Sequence, residues 1–240
     1  MSRRSREFLT ATAVVVLFAL PLLPEIVGSR RLIFRDALVT HWPWRRAAVE
    51  MLNAGEVPFV DARASGGEPL LANPNAVLLY PTFLLERVLP PESAFNLHYL
   101  LHVLWAFFGA RALARRLGIS DGAAFVSGVA YAFSGTMLSF GSAFMNSSAA
   151  AAWLPWCAAA ALDLGRAPAA SAVLRSGAAL GLALGLQLLA GEPALSLLTV
   201  LFVAGLALFA TPTDGQRRPL RVVAALAASG ALAVALAAPL

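Results

Sequence analysis

Seven predominantly apolar runs, each close to the ~20 residues a helix needs to cross a bilayer core of ~30 Å, constrain this chain more than any other feature. They cover Phe8 to Val27, Ala94 to Leu113, Ala123 to Phe140, Ser148 to Leu164, Val173 to Ala190, Pro193 to Ala210 and Val222 to Leu240. Lipid offers no partner to a backbone N–H or C=O, so a spanning segment of this length closes its hydrogen bonds on itself as a helix. The expected architecture is therefore all-α: a polytopic transmembrane bundle of about seven spans forming a single domain over residues 1–240. Composition agrees, since 59% of residues are apolar and 13% charged, against about 45–50% and about 25% in soluble domains.

Arginine placement sets the expected orientation. Arg3, Arg4 and Arg6 precede the first run, which reads as a retained signal anchor because no small-residue cleavage site follows cleanly. With the N-terminus in the cytoplasm, Arg111, Arg115 and Arg116, then Arg166 and Arg175, then Arg217, Arg218 and Arg221 share that side. The opposite turns, near Asn146 and Glu192, carry no Arg. The expected location is a bacterial inner membrane, multi-pass, with the first loop outside. The net charge of +5 comes from arginines at helix ends, which argues against nucleic acid as a partner. Cys157 stands alone in an apolar run, so no internal disulfide forms and the thiol is expected in the packed core.

Residues 29–92 form the long first outer loop, which carries as many acids as bases. From His41 to Asn53 the spacing predicts a surface-lying helix with Trp44, Ala48, Met51 and Leu52 on one face and Arg45, Arg46, Glu50 and Asn53 mostly on the other. Val77 to Leu89, bounded by Pro81 and by Pro90 with Pro91, is too short to span and predicts a second juxtamembrane helix, interfacial or re-entrant.

Polar residues gathered toward the outer face are the candidates for chemistry. Asp36 either caps the interfacial helix, pairs with Arg35, or works as a carboxylate in water at the membrane lip. Arg45 and Arg46 suit a bidentate grip on a lipid phosphate, or snorkel to headgroups. Asn73, Asn75, Tyr80 and Asn146 suit the reading of sugar hydroxyls, although Asn before Pro74 also forms turns. Glu192, ahead of Pro193, is an ordinary helix-start carboxylate or a functional acid at membrane depth. His98 and His102 share one helix face at i, i+4 spacing, which can offer two imidazoles to one metal, but no third ligand stands nearby; His98, nearer the outer end, is the better site candidate and suits a hydrogen bond to a donor phosphate.

The ordered series GEVPFVDARASGGEPLLANPNAVLLYP, RRLGIS, GVAYAFSGTML, AWLPW and LGLQLLAGEP, covering Phe34 to Glu192, resembles the YfhO-like family of bacterial polytopic proteins. More broadly, a span, an Asp just outside it and two juxtamembrane helices before span two resemble the GT-C superfamily of membrane glycosyltransferases. Members are longer, so the resemblance implies an N-terminal portion. It also implies inverting sugar transfer from a polyprenyl-phosphate-linked donor to an envelope glycan, lipid or protein acceptor on the outer side. In that superfamily a first-loop Asp acts as base for the acceptor hydroxyl or helps hold a divalent metal; the matching residue is Asp36. The neighbour here is Arg35, where some relatives carry a second acid. Two other classes fit the same sequence: a non-catalytic component of envelope polymer assembly or export, and a lipid or solute transporter. The latter calls for charges near mid-membrane, whereas these polar residues gather at the outer edge.

Overall fold

The computed structural model describes residues 13, 35–64, 66–140, 143–216 and 218–238. The first apolar run and the arginines before it lie outside the described residues. What is described is mostly helical, with one sheet of two short strands among the described residues.

A π-helical turn, Ala37–His41, runs directly into α1, Trp42–Asn53. Pro43 sits in the first turn of α1, where a missing N–H costs nothing. An irregular stretch follows, pinned by the antiparallel pairing of β1, Val60–Asp61, with β2, Glu68–Pro69. A 3-10 helix, Pro81–Arg87, leads to α2, Pro91–Arg116. Then come α3, Asp121–Ala132; α4, Met145–Arg166; α5, Ala170–Leu189; α6, Pro193–Phe209; and α7, Pro219–Ala237. Of these, α2, α5 and α7 are long and apolar enough to cross a membrane, and α6 is a shorter apolar helix.

Two expected elements differ from those observed. The run from Ala123 to Phe140 is not one helix: α3 stops at Ala132, Phe133 and Ser134 turn, and a π-helical turn, Thr136–Phe140, resumes. Ser134 and Gly135 are both poor in helix propensity, which favours a break there. The second juxtamembrane helix is shorter than Val77 to Leu89, because its first residues make a tight turn instead. Val77 itself is buried with φ of 56°, a left-handed conformation that a β-branched residue adopts only under constraint.

That constraint is visible. The loop's Asn73–Val77 turn docks on the turn between α5 and α6, where Gly191 has φ of 77°. A Cβ on Gly191 would lie 2.0 Å from the Pro74 carbonyl oxygen, so only glycine allows this approach.

At the centre lies α4, whose Ala-rich surface packs on α2, α5 and α6 together, while α7 packs along α5. Pro155 interrupts α4 and cannot donate to the Ala151 carbonyl. The Tyr131 hydroxyl of α3 donates to that carbonyl instead, at 2.8 Å, which is how a proline is tolerated in a buried helix. Cys157 is buried in the same core.

Polar groups sort to the two ends of the bundle. At one end, Arg116 pairs with Asp163 at 2.7 Å, Arg115 with Asp121 at 2.9 Å, and Arg218 donates to the Pro168 carbonyl at 2.9 Å. At the other end, residues 35–90 form a cap over the starts of α2, α4 and α6. These are the arginine end and the cap end.

Candidate functional site

The cap carries a small hydrophobic core of its own, in which Ala47 and Ala48 of α1 meet Leu70, Ala76, Leu78 and Phe83. Through that core runs a buried ion pair. Arg45 is fully buried, its Nε donating to the Glu86 carboxylate, with its guanidinium over the rings of Phe83 at 5.1 Å and Phe95 at 5.4 Å. The expectation that Arg45 faces away from the apolar side of α1 is therefore corrected: it points inward. Glu86 supplies the counter-charge and two aromatic faces absorb the rest of the cation. Among the described residues, its Nη1 and Nη2 atoms have no hydrogen-bond partner. Burial pushes the Glu86 carboxyl above the usual carboxylate range, against the pull of Arg45. Arg46, by contrast, is exposed and pairs with Glu50 at 3.1 Å, as the helical spacing predicts.

Three histidines surround this pair. His41 is buried at the junction of the π-turn and α1, and its Nδ1–H donates to the Asn75 carbonyl at 2.6 Å. Burial pushes its pKa below the ordinary imidazole value; Arg45 adds to this, while the Asn75 bond and the Asp36 carboxylate act the other way. His98 meets the Thr82 hydroxyl at Nδ1 (2.6 Å) and the Met145 carbonyl at Nε2 (3.3 Å). A carbonyl only accepts, so Nε2 carries the proton and Nδ1 accepts from Thr82. By the same reasoning His102 donates from Nδ1 to the His98 carbonyl (2.6 Å) and accepts the Tyr80 hydroxyl at Nε2 (2.7 Å). Tyr80 in turn accepts from Trp153 Nε1 at 2.8 Å. Every ring nitrogen of His98 and His102 is thus spent within the protein. Among the described residues, no group of three or more His, Cys, Asp and Glu side chains is placed to hold a metal.

A second polar chain joins the cap to the helix turns. Asn146 Nδ2 reaches both Asn75 Oδ1 and the Gly191 carbonyl at 3.1 Å, and Asn146 Oδ1 accepts from the Ser147 backbone at 3.0 Å. The Ser147 hydroxyl donates to Glu192 at 3.1 Å. Glu192 stands at the start of α6 but makes no side-chain capping bond, and Asp36, at the start of the π-turn, makes none either. Asp36, half-buried, is close enough to His41 to favour its charged form. Asn73 donates to Glu68 at 3.0 Å and accepts from the Asn75 backbone at 2.9 Å, forming the turn its position before Pro74 suggests.

The structure places Asp36, Arg45, Tyr80, His98, Asn146 and Glu192 at the cap end in separate groups. One path runs from His41 through Asn75, Asn146 and Ser147 to Glu192, with Asp36 near His41. Arg45 pairs with Glu86, while Tyr80 and His98 belong to the histidine chain. Arg46 and Asn73 lie at their margin. A cavity of about 380 Å³ opens beside the ion pair, between α1 and the start of α2, lined by Trp42, Arg46, Glu50, Glu86, Glu92 and Phe95 among others. Arg45 is closed off behind Glu86 and Phe95.

Sequence reasoning missed Glu86, His41 and Gln187. Glu86 is the lone acid within a short apolar segment, and an acid so placed is buried only with a partner; that signal was readable. Gln187, in the apolar run of α5, donates to the Ala150 carbonyl at 2.9 Å and to Thr199 at 3.0 Å, tying α5 to α4 and α6. No protein-family model, curated protein or solved structure matches the chain.

Proposed function

We propose that the chain forms part or all of the membrane domain of a GT-C type glycosyltransferase with seven spans. In this reading the N-terminus lies in the cytoplasm of a bacterial cell and the cap end faces outward. What supports it is a hydrogen-bonded path across the cap end from His41, near Asp36, through Asn75, Asn146 and Ser147 to Glu192, with neither carboxylate capping its helix.

Asp36 is the general base. As the acceptor hydroxyl oxygen bonds to the anomeric carbon, its proton passes to the Asp36 carboxylate; the bond from that carbon to the phosphate oxygen breaks, and the polyprenyl phosphate leaves with the electron pair. A lipid phosphate departs as a stabilised anion, so the reaction has no need of a strong general acid. His41 stands beside the base, its ring held by the Asn75 carbonyl. Arg46, exposed on the cavity wall, is the cation placed to meet a donor phosphate.

Asp36→Asn tests this. Asn keeps the shape and hydrogen-bonding reach but takes no proton, and since Asp36 makes no capping bond, folding and expression should be unchanged. Sugar incorporation from a polyprenyl-phosphate donor by the full-length protein should fall about 10²- to 10⁴-fold. Near-normal transfer in that variant would remove the base role.

One observation favours a second reading, a non-catalytic component of envelope polymer assembly. The polar atoms of His98, Tyr80 and Asn146 are spent on other residues of the chain, which suits a rigid docking platform as well as a substrate site.

A further inference from the structure

At the arginine end, α2, α4 and α5 leave a groove of about 450 Å³ whose lining changes character along its length. Its mouth carries Arg116, Asp163, Arg175 and Ser176, and its deeper walls are alanines with Trp153 and Trp156. We infer that this groove binds one anionic phospholipid, headgroup at the arginines and acyl chain along the helices.

Length is the first argument. From Asp163 at the mouth to Trp153 at the deep end, α4 rises ~15 Å at ~1.5 Å per residue. That is half of a hydrocarbon core of ~30 Å, the depth of a single leaflet. The deep wall is fixed: Trp156 stacks on Trp105 with centroids 4.5 Å apart and donates to the Trp105 carbonyl at 3.1 Å, while Trp153 is tied to Tyr80 at 2.8 Å. The space between exists because α4 and α5 present Ala160, Ala179 and Ala183 there, small side chains that leave room for a chain of methylenes.

Charge is the second. At the mouth two arginines face one aspartate. Arg116 already spends Nε on Asp163 at 2.7 Å and Nη1 on the Ala112 carbonyl at 3.3 Å. Arg175 is exposed and has no ion pair or hydrogen bond among the described residues. The excess is one cation, and the one carboxylate that could receive a choline or ethanolamine ammonium is held by Arg116. A basic mouth over an apolar slot between spanning helices is the arrangement that selects anionic headgroups.

The test uses the full chain purified in detergent, with dioleoyl phosphatidylglycerol and dioleoyl phosphatidylcholine as probes and bound lipid counted by native mass spectrometry. Phosphatidylglycerol should be retained in preference to phosphatidylcholine. Arg175→Gln should lower that preference about fivefold, the worth of one arginine near a membrane surface, with the lipid-free melting temperature unchanged. Ala179→Trp should fill the slot and reduce retention of both lipids, and Ala179→Leu carries the same expectation should the larger residue impair folding. Equal retention of the two lipids by the wild type would overturn the inference. So would displacement of the lipid by millimolar inorganic phosphate, or wild-type retention in both the Arg175 and the Ala179 variants.

Discussion

Where the cap meets the helix turns, contact is made by side chains that hydrogen-bond: His41 to Asn75, Asn75 to Asn146, Asn146 to Gly191. Where α5 meets α7, contact is made by the near absence of side chains. Gly177, Gly181 and Gly185 bring the α5 backbone against Ser229, Leu232 and Leu236 of α7, and the Ser229 hydroxyl reaches the Gly177 carbonyl at 2.8 Å. The difference follows from surroundings. In lipid, helices gain little from burying apolar surface on each other, so close backbone packing has to supply the attraction. At the cap, the chain carries charges and amides that must find partners once water is excluded. An interface of the first kind fails locally when a partner is lost; one of the second kind fails when volume is added.

The largest expected effect comes from unpairing the cap's ion pair. Glu86→Gln leaves the Arg45 charge buried without its counter-charge, a loss of about 3–5 kcal/mol in comparable buried pairs. Hydrogen exchange should show faster opening of α1 and the 81–87 helix while α5 and α7 keep their protection. The double variant Arg45→Met with Glu86→Leu should regain most of the loss, since an apolar replacement of a buried pair is close to neutral. If opening spreads equally into α5 and α7, the two regions are one cooperative unit and the contrast is wrong.

Adding volume at α5 comes next. A Cβ on Gly181 would lie 2.9 Å from the Ser229 carbonyl oxygen, whereas at Gly177 the nearest atom is the Ser229 Oγ at 3.4 Å. Gly181→Ala should therefore destabilise by about 1–3 kcal/mol in thermal unfolding in detergent. Gly177→Ala should stay close to wild type or gain slightly, because its Cβ meets only ordinary van der Waals contacts and alanine has the better helix propensity. Equal behaviour of the two variants would show that the closeness of α5 and α7 is not what holds them.

The helices were legible in the sequence because lipid leaves a long apolar run one way to satisfy its backbone. Runs such as Val173 to Ala190 and Pro193 to Ala210 differ by only a few residues from α5 and α6. The break after Ala132 was less legible, since hydropathy averages over a single Ser-Gly pair. The cap was legible only in outline. A helical wheel puts Arg45 on the polar face of α1 because it sees its own element alone, and the partner that admits the side chain, Glu86, lies 41 positions away. The strain at Val77 and the fit of Pro74 on Gly191 also depend on long-range docking. The path from His41 through Asn75, Asn146 and Ser147 to Glu192 was not legible either, because it forms only once the loop has docked.

A pH titration distinguishes the two regions more gently. Burial holds the His41 pKa below its ordinary value of about 6.5. The neutral ring therefore stabilises the docked cap fully above that value, and the contribution is lost as pH falls through the lower folded-state pKa. Cap opening, read from exchange rates corrected for the acid slowing of intrinsic exchange, should rise on acidification below about pH 6.5. Contacts between α5 and α7 involve no group that titrates there and should not change. In His41→Asn, which keeps a side-chain donor and removes the titration, the acid-induced rise should be smaller.

The smallest expected effect concerns the neighbour of the buried arginine. Arg46 has the same side chain as Arg45 and lies one position on, yet it is exposed and shares Glu50 with Arg63. Exposed pairs of this kind contribute little, because water screens the charges and ordering long side chains opposes the gain. Arg46→Gln should thus leave melting temperature and cap exchange indistinguishable from wild type, whereas Arg45→Gln, which strands Glu86, should not. Stability and binding then come apart at one residue. Arg46 lines the cavity beside the ion pair, so if that cavity takes a donor phosphate, Arg46→Gln should raise the KM for a polyprenyl-phosphate donor with kcat little changed, the signature of lost uniform binding. An unchanged KM together with unchanged stability would leave Arg46 a solvated surface charge and shift the donor phosphate away from this cavity.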